Sequence, residues 1–135
     1  MKRRMKTLRI NSRSRVEMID ITAEVRAAVK DAGIADGLIH LYVPHTTAAV
    51  TINENADPDV TRDLVMELNK IVPFEDGYRH LEGNSAAHLK CSLVGVSELI
   101  PLENGQPVLG TWQGIYFCEF DGPRQRKLQL RVIPA

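Results

Sequence analysis

Four histidines stand in this chain, and three of them, His45, His80 and His88, lie in its most polar segments. Imidazole is both a metal ligand and a proton carrier near neutral pH, so three such residues are candidates for one site assembled by the fold. Their spacing matches no local zinc motif such as HExxH. His40 alternates within the apolar run LIHLYV and reads as an ordinary strand residue. Around His45, the span HTTAAVTINENADPD gathers Thr46, Thr47, Asn53, Glu54, Asn55, Asp57 and Asp59. Strand alternation puts Thr51, Asn53 and Asn55 on one face and Ile52 and Glu54 on the other. Asp57, just before Pro58, has a complete structural role as a helix N-cap. Asn53, Glu54 and Asn55 have no comparable explanation.

A third segment, GTWQGIYFCEFDGPRQR, carries Glu119 on the same strand face as Ile115 and Phe117. A carboxylate among apolar side chains must be paired, metal-bound or shifted in pKa, unless its strand is an edge and it reaches water. Arg124 and Arg126 follow the turn at Asp121-Gly122-Pro123 and suit phosphate, whose oxygens match the guanidinium fork. Neither a Walker loop nor GxGxxG occurs, which argues against the ordinary nucleotide folds. Cys91 and Cys118 lie in apolar surroundings without ligand spacing, as expected for buried free thiols.

The elements that must position these groups are legible in outline. Leu8 and Ile10 alternate with Arg9 and Asn11, an amphipathic strand. Asp20 or Thr22 caps a helix whose apolar residues are Ile21, Val25, Ala28, Val29 and Ala32, and Gly33 stops it. LIHLYV (38–43) and AVTI (49–52) read as strands. Asp57-Pro58 opens the clearest helix, with Val60, Leu64, Val65, Leu68, Ile71 and Val72 on its apolar face and Pro73 at its end. The polar, glycine-punctuated loop 73–84 precedes a short helix, SAAHLKCSL, capped by Asn84 or Ser85. Then come VSELIPL, a hairpin turn at Asn104-Gly105, PVLGTW, IYFCEF and KLQLRVI, which read as an antiparallel meander. About seven strands and three helices make a single α+β domain over 1–135, with residues 1–5 frayed.

Composition sets the outer bounds. The chain has 135 residues, 44% of them hydrophobic and 25% charged, the balance of a globular domain rather than a disordered one. No apolar run reaches the ~20 residues of a membrane helix, and no signal-peptide pattern is visible, so a cytoplasmic setting without a membrane partner is expected. Seven of the 17 lysines and arginines lie at or before Arg15, and all 17 acids follow it. Ten basic against 17 acidic residues leave 16–135 at net −7 behind a +7 segment. That segment reads as a strand with a basic outer face. It has no aromatic residue to stack on a base, and no nucleic-acid partner is expected.

Three long motifs, HTTAAVTINENADPDV, GYRHLEGNSAAHLKCSLVG and PLENGQPVLGTWQGIYFCEFDGPR, resemble the secondary thiamine-phosphate synthase family, the YjbQ-like proteins. The resemblance runs from about Ile10 to Val132. It implies a single α+β domain of antiparallel or mixed, β-sandwich-like sheets, a homotrimer, and thiamine-phosphate synthase activity on small molecules. Family positions map here to His45, Thr46, Thr47, Asn53, Asp57, His80, Asn84, Ser85, His88, Lys90, Glu119 and Arg124, among others. Where the family often has an aspartate, this chain has Ala86.

That chemistry joins a pyrimidine diphosphate to a thiazole phosphate and releases pyrophosphate. It asks for ring positioning and charge stabilisation on the leaving group. On this reading His45, Glu119, Asn53 and Asp57 are the catalytic candidates. Thr46, Thr47, Asn84, Ser85, Lys90 and Arg124 bind substrate or phosphate, and Mg²⁺ is the expected ion. Three histidines suit Zn²⁺ better, and His45, His80 and His88 are expected to converge on one ion with Glu119 nearby. The alternatives are a metal-dependent, hydrolase-like enzyme on a phosphorylated or heterocyclic substrate, and a trimeric ligand-binding protein without turnover.

Overall fold

The computed structural model describes residues 5–135. Two antiparallel sheets face each other. The larger has the order β1 (Met5–Asn11), β8 (Gln125–Pro134), β3 (Gly37–Tyr42), β5 (Ser97–Glu103), β6 (Gln106–Pro107); the smaller has β2 (Glu17–Asp20), β7 (Gln113–Glu119), β4 (Ala48–Glu54). Strand alternation turns Ile10, Ile39, Leu41, Leu128 and Leu130 of the larger sheet onto Val50, Ile115 and Phe117 of the smaller, and helix α1 (Thr22–Ala32) adds Val25 and Val29 to this core. The opposite face of the smaller sheet carries Ala49, Cys118 and Phe120, covered by Ala87 of α3 (Ser85–Val94) and Leu68 of α2 (Pro58–Ile71). The α+β class, the three helices and the sandwich-like sheets are as the sequence reads. Among the described residues, no helix is long and apolar enough to cross a membrane.

Local chemistry explains most boundaries. Asp57 accepts the Asp59 N–H at 2.9 Å and Pro58 opens α2. Asp20 accepts the N–H and hydroxyl of Thr22, while Ile21 occupies the cap position of α1. Asn104 and Gly105 both have positive φ, as a two-residue hairpin with its strand twist requires. The frayed segment expected at 1–5 falls largely outside the described residues, and Met5 already belongs to β1.

The meander is the main correction. β5 and β6 form a hairpin, but the chain then crosses to the other sheet as β7 and returns as β8 between β1 and β3. IYFCEF is apolar on both faces, which fits the centre of a sheet covered on both sides rather than one turn of a meander. PVLGTW contributes only the two residues of β6. The short β2 was not anticipated from the sequence.

Candidate functional site

Glu119 is fully buried, so the edge-strand alternative for it falls away. It lies on the face of β7 that looks into the sandwich, and there it meets Arg126 of β8, only 2% exposed. The pair ties one sheet to the other at the end of the core. Arg126 Nε donates to Glu119 Oε1 at 2.9 Å and Nη2 to Oε2, while Nη2 also reaches Thr47 Oγ1 at 2.8 Å and Thr47 O at 3.1 Å. Ser12 Oγ donates to Oε1 at 2.6 Å and the Asp121 N–H to Oε2 at 3.0 Å. Burial alone would push the Glu119 carboxyl up. The hydrogen bonds from Arg126, Ser12 and Asp121 outweigh it and hold the pKa below its ordinary value. Gly122 follows in a space with no room for a side chain, since a Cβ there would stand 2.3 Å from Ser14 O.

Above this plug lies a polar cleft of about 390 Å³, lined by Pro44, His45, Thr46, Thr47, Glu82, Asn84, His88, Asp121, Arg124 and Arg126. His45 Nε2 accepts the Lys127 N–H at 2.9 Å, which assigns the imidazole proton to Nδ1. Burial first, and then the charge of Arg126, lowers the His45 pKa, so this ring is neutral at pH 7. Arg124 Nη2 donates to Asp121 Oδ2 at 3.0 Å and its Nε to Asp121 O at 2.9 Å. Asn84 Nδ2 donates to the same Asp121 oxygen at 2.9 Å. The buried Asn84 Oδ1 has no hydrogen-bond partner among the described residues. A ligand bringing an N–H or O–H to that oxygen would satisfy it.

Of the sequence candidates, His45, Thr46, Thr47, Asn84, His88 and Arg124 share this cleft, and Glu119 lies behind it as the counter-ion of Arg126. Glu119 is therefore not a free proton acceptor. His80 does not line the cleft; its ring meets His88 edge-on at 5.4 Å, with Nε2 3.9 Å from Glu82 Oε1. Among the described residues, no three His, Cys, Asp or Glu side chains are grouped as a metal ion would require. Within one chain the three histidines thus do not form the expected ligand set.

Lys90 is also elsewhere. It is fully buried, bonded to Asn69 Oδ1 and held 4.6 Å from the Phe74 ring centre, so it does not reach the cleft as a phosphate partner. Burial, and then the charge of Arg15, lowers its pKa. Ser85 opens α3 without lining the cleft. Asn53 and Asp57 are separated from His45 by the length of β4. Six residues of strand put Asn53 roughly 20 Å from Thr47. There Asn53 Oδ1 accepts the Glu54 N–H, and Asn55 Nδ2 donates to Asp20. The sequence reading missed Ser12. Ser12 could have been found, because it continues the inward alternation of Leu8 and Ile10.

Such a chain is a two-sheet α+β domain with an arginine- and histidine-lined cleft at one end of its sandwich. It belongs to the UPF0047 YjbQ-like family, whose sequence profile matches residues 6–135. UPF0047 protein YugU of Bacillus subtilis is 53% identical over 130 residues, spanning 96% of this chain and 98% of that protein. The crystal structure of a YjbQ/UPF0047-family protein from Clostridium acetobutylicum superposes with a TM-score of 0.93 at 52% identity, covering 95% of this chain and 99% of the other. A YbjQ-like protein of unknown function from Sulfolobus solfataricus also gives 0.93, at 28% identity over 97% and 96% of the two chains. These relatives define family and fold.

Proposed function

We propose that the cleft binds a phosphorylated small molecule, and that the chain is a thiamine-phosphate synthase-type transferase acting as a homotrimer in the cytoplasm. One observation carries this reading: His45, His88, Thr46, Thr47, Arg124 and Arg126 open onto a single cleft. In the reaction, the thiazole nitrogen lone pair forms a bond to the pyrimidine methylene carbon. The carbon–oxygen bond to the diphosphate breaks, and its electron pair leaves on pyrophosphate. No proton has to be removed from the attacking nitrogen, so no general base is needed. Arg124, the threonine hydroxyls and the His45 Nδ1–H are the donors for the departing oxygens. Arg126 adds positive charge at the floor, fixed in place by Glu119. Asn84 Oδ1 suits the exocyclic amine of an aminopyrimidine. Mg²⁺ would come with the diphosphate substrate as its counter-ion and supply charge neutralisation there; among the described residues no three His, Cys, Asp or Glu side chains are grouped to hold it.

Pyrophosphate release from the two phosphorylated rings with Mg²⁺ tests the reading, and Zn²⁺ provides a parallel arm. Turnover that drops about 100-fold in Arg124→Ala supports it, the scale of one lost transition-state donor. Binding of both rings without turnover supports the non-catalytic alternative. Hydrolysis of one ring phosphate only with Zn²⁺ supports the metal-dependent hydrolase.

A further inference from the structure

Leu38, Tyr42, Leu99 and Ile133 are all exposed on the outer face of the larger sheet, so no layer of the described residues covers it. Ile10, Ile39, Leu41, Leu128 and Leu130 point into the core, and the residues between them along β1, β8 and β3 therefore point outward. Strand register sets these outward residues side by side. Arg9 of β1 stands opposite Lys127 of β8, Tyr42 of β3 opposite Gln129, and His40 opposite Arg131. Arg9, Lys127 and Arg131 are exposed, and none of them is in an ion pair among the described residues. The His40 and Tyr42 rings lie within 26° of parallel, with centres 6.4 Å apart. Lys127 and Arg131, four residues apart on β8, bracket this ring pair across roughly 13 Å. Among the outward residues of β1, β8, β3 and β5, Glu103 is the one acid, and it lies at the far end of β5 beside β6.

We propose that this sheet face binds single-stranded nucleic acid. In the sequence, no aromatic residue stands among the basic residues of β1. The pairing of β8 with both β1 and β3 supplies what that strand lacks, because it sets two rings among three cations. Cations spread along a strand suit a polymer of phosphates, whereas a single small anion would engage only one of them. Rings between the cations give bases a flat surface to stack on, and such stacking accepts any base. A duplex keeps its bases stacked inside, so the ring pair favours a single strand. An acidic peptide would match the cations and leave the rings unused. The Gln129 amide, between Lys127 and Arg131, can reach a sugar or a base edge. RNA and DNA share phosphates and bases, so both should bind. None of these side chains lines the cleft, and the proposal is independent of the transferase reading.

Fluorescence anisotropy of a labelled uridine oligomer of about 12 nucleotides, titrated over a salt series, tests it. The wild-type protein should bind at low salt, bind a thymidine oligomer similarly, and bind a duplex of the same length more weakly. Arg9→Ala, Lys127→Ala and Arg131→Ala should each flatten the slope of log affinity against log salt by about 0.7, the share of one phosphate contact on a single strand. Tyr42→Leu should weaken binding about tenfold with the slope unchanged, as the loss of one stacked base does, and Tyr42→Phe should bind like wild type. All of these side chains point away from the core, so circular dichroism should be unchanged. No binding at low salt overturns the proposal. An unchanged slope in all three cation variants overturns the site, and a duplex bound as tightly as the single strand overturns the stacking. Displacement of the oligomer by pyrophosphate at matched ionic strength would put it in the cleft, which overturns the sheet site and leaves the cleft reading standing. If Tyr42→Leu lowers the mass seen by light scattering, another copy covers this face and the proposal falls.

Discussion

Glu119 and Arg126 show how one residue pair can hold a site without entering its chemistry. The carboxylate accepts hydrogen bonds from Arg126, Ser12 and the Asp121 N–H and leaves Arg126 at the cleft floor as a fixed, compensated charge. Glu119→Gln keeps the shape but strands a buried guanidinium. Chemical denaturation at pH 7 should show a loss of about 3 kcal/mol. The folded carboxyl pKa is depressed, so its stabilisation is fully present above the ordinary value of 4.5 and is lost as pH falls through the lower folded value. The stability gap between variant and wild type should therefore narrow below pH 4.5. His45 acts in the same direction higher up. Its depressed pKa means that the unfolded chain binds a proton more readily, so stability declines as pH falls through 6.5. Lys90 is the opposite kind of buried charge, an ammonium beside Asn69 and Phe74 with no carboxylate partner among the described residues. Lys90→Met keeps the packing and sheds the desolvated charge, so its stability at pH 7 should lie within about 1 kcal/mol of wild type. Lys90→Ala should cost about 3 kcal/mol through the cavity it leaves. Because the folded amine pKa is lowered, wild-type stability should gain from Lys90 as pH rises toward 10.5, and Lys90→Met should lack that gain.

At the scale of elements, β4 decides the layout of the site. His45, Thr46 and Thr47 lead into it at the cleft end, and Asn53 and Glu54 leave it at the other. An extended strand cannot fold these two polar groups onto each other, however close they stand in the sequence. β1 has a different role. Its Ile10 enters the core, its basic residues face outward, and it pairs with β8 along its whole length. Deleting residues 1–11 should remove this partner and expose the β8 edge, giving a lower melting temperature and aggregation on heating. A nucleic-acid arm would behave differently: the truncated protein would fold normally and lose only salt-sensitive retention on DNA or RNA.

For the whole molecule, the cleft is where side chains from several elements converge. Inorganic pyrophosphate is a simple probe of that cleft. Calorimetric titration should show binding that Arg124→Ala weakens about tenfold or more, the loss of one charge-assisted contact of about 1.5–3 kcal/mol. Equal affinity in the variant would remove Arg124 from the anion site. The outer face of the larger sheet leaves Leu38, Tyr42, Leu99 and Ile133 exposed.

The class of fold, the three helices, the Asn104-Gly105 turn and the inward alternation of β1 follow from local chemistry. Periodicity, caps and turn preferences act over a few residues and are written directly in the chain. The grouping of His45, His88 and Arg124 is also foreshadowed, since each stands in a polar segment between apolar elements. What the chain could not display was pairing across sheets. That IYFCEF leaves its hairpin neighbours for the other sheet depends on which surfaces cover its two apolar faces. That Glu119 ends on Arg126, that Lys90 turns inward to Phe74, and that Asn53 stands far from His45 all depend on that pairing. Side-chain alternation fixes a face along each strand; only packing one sheet on another decides what that face meets.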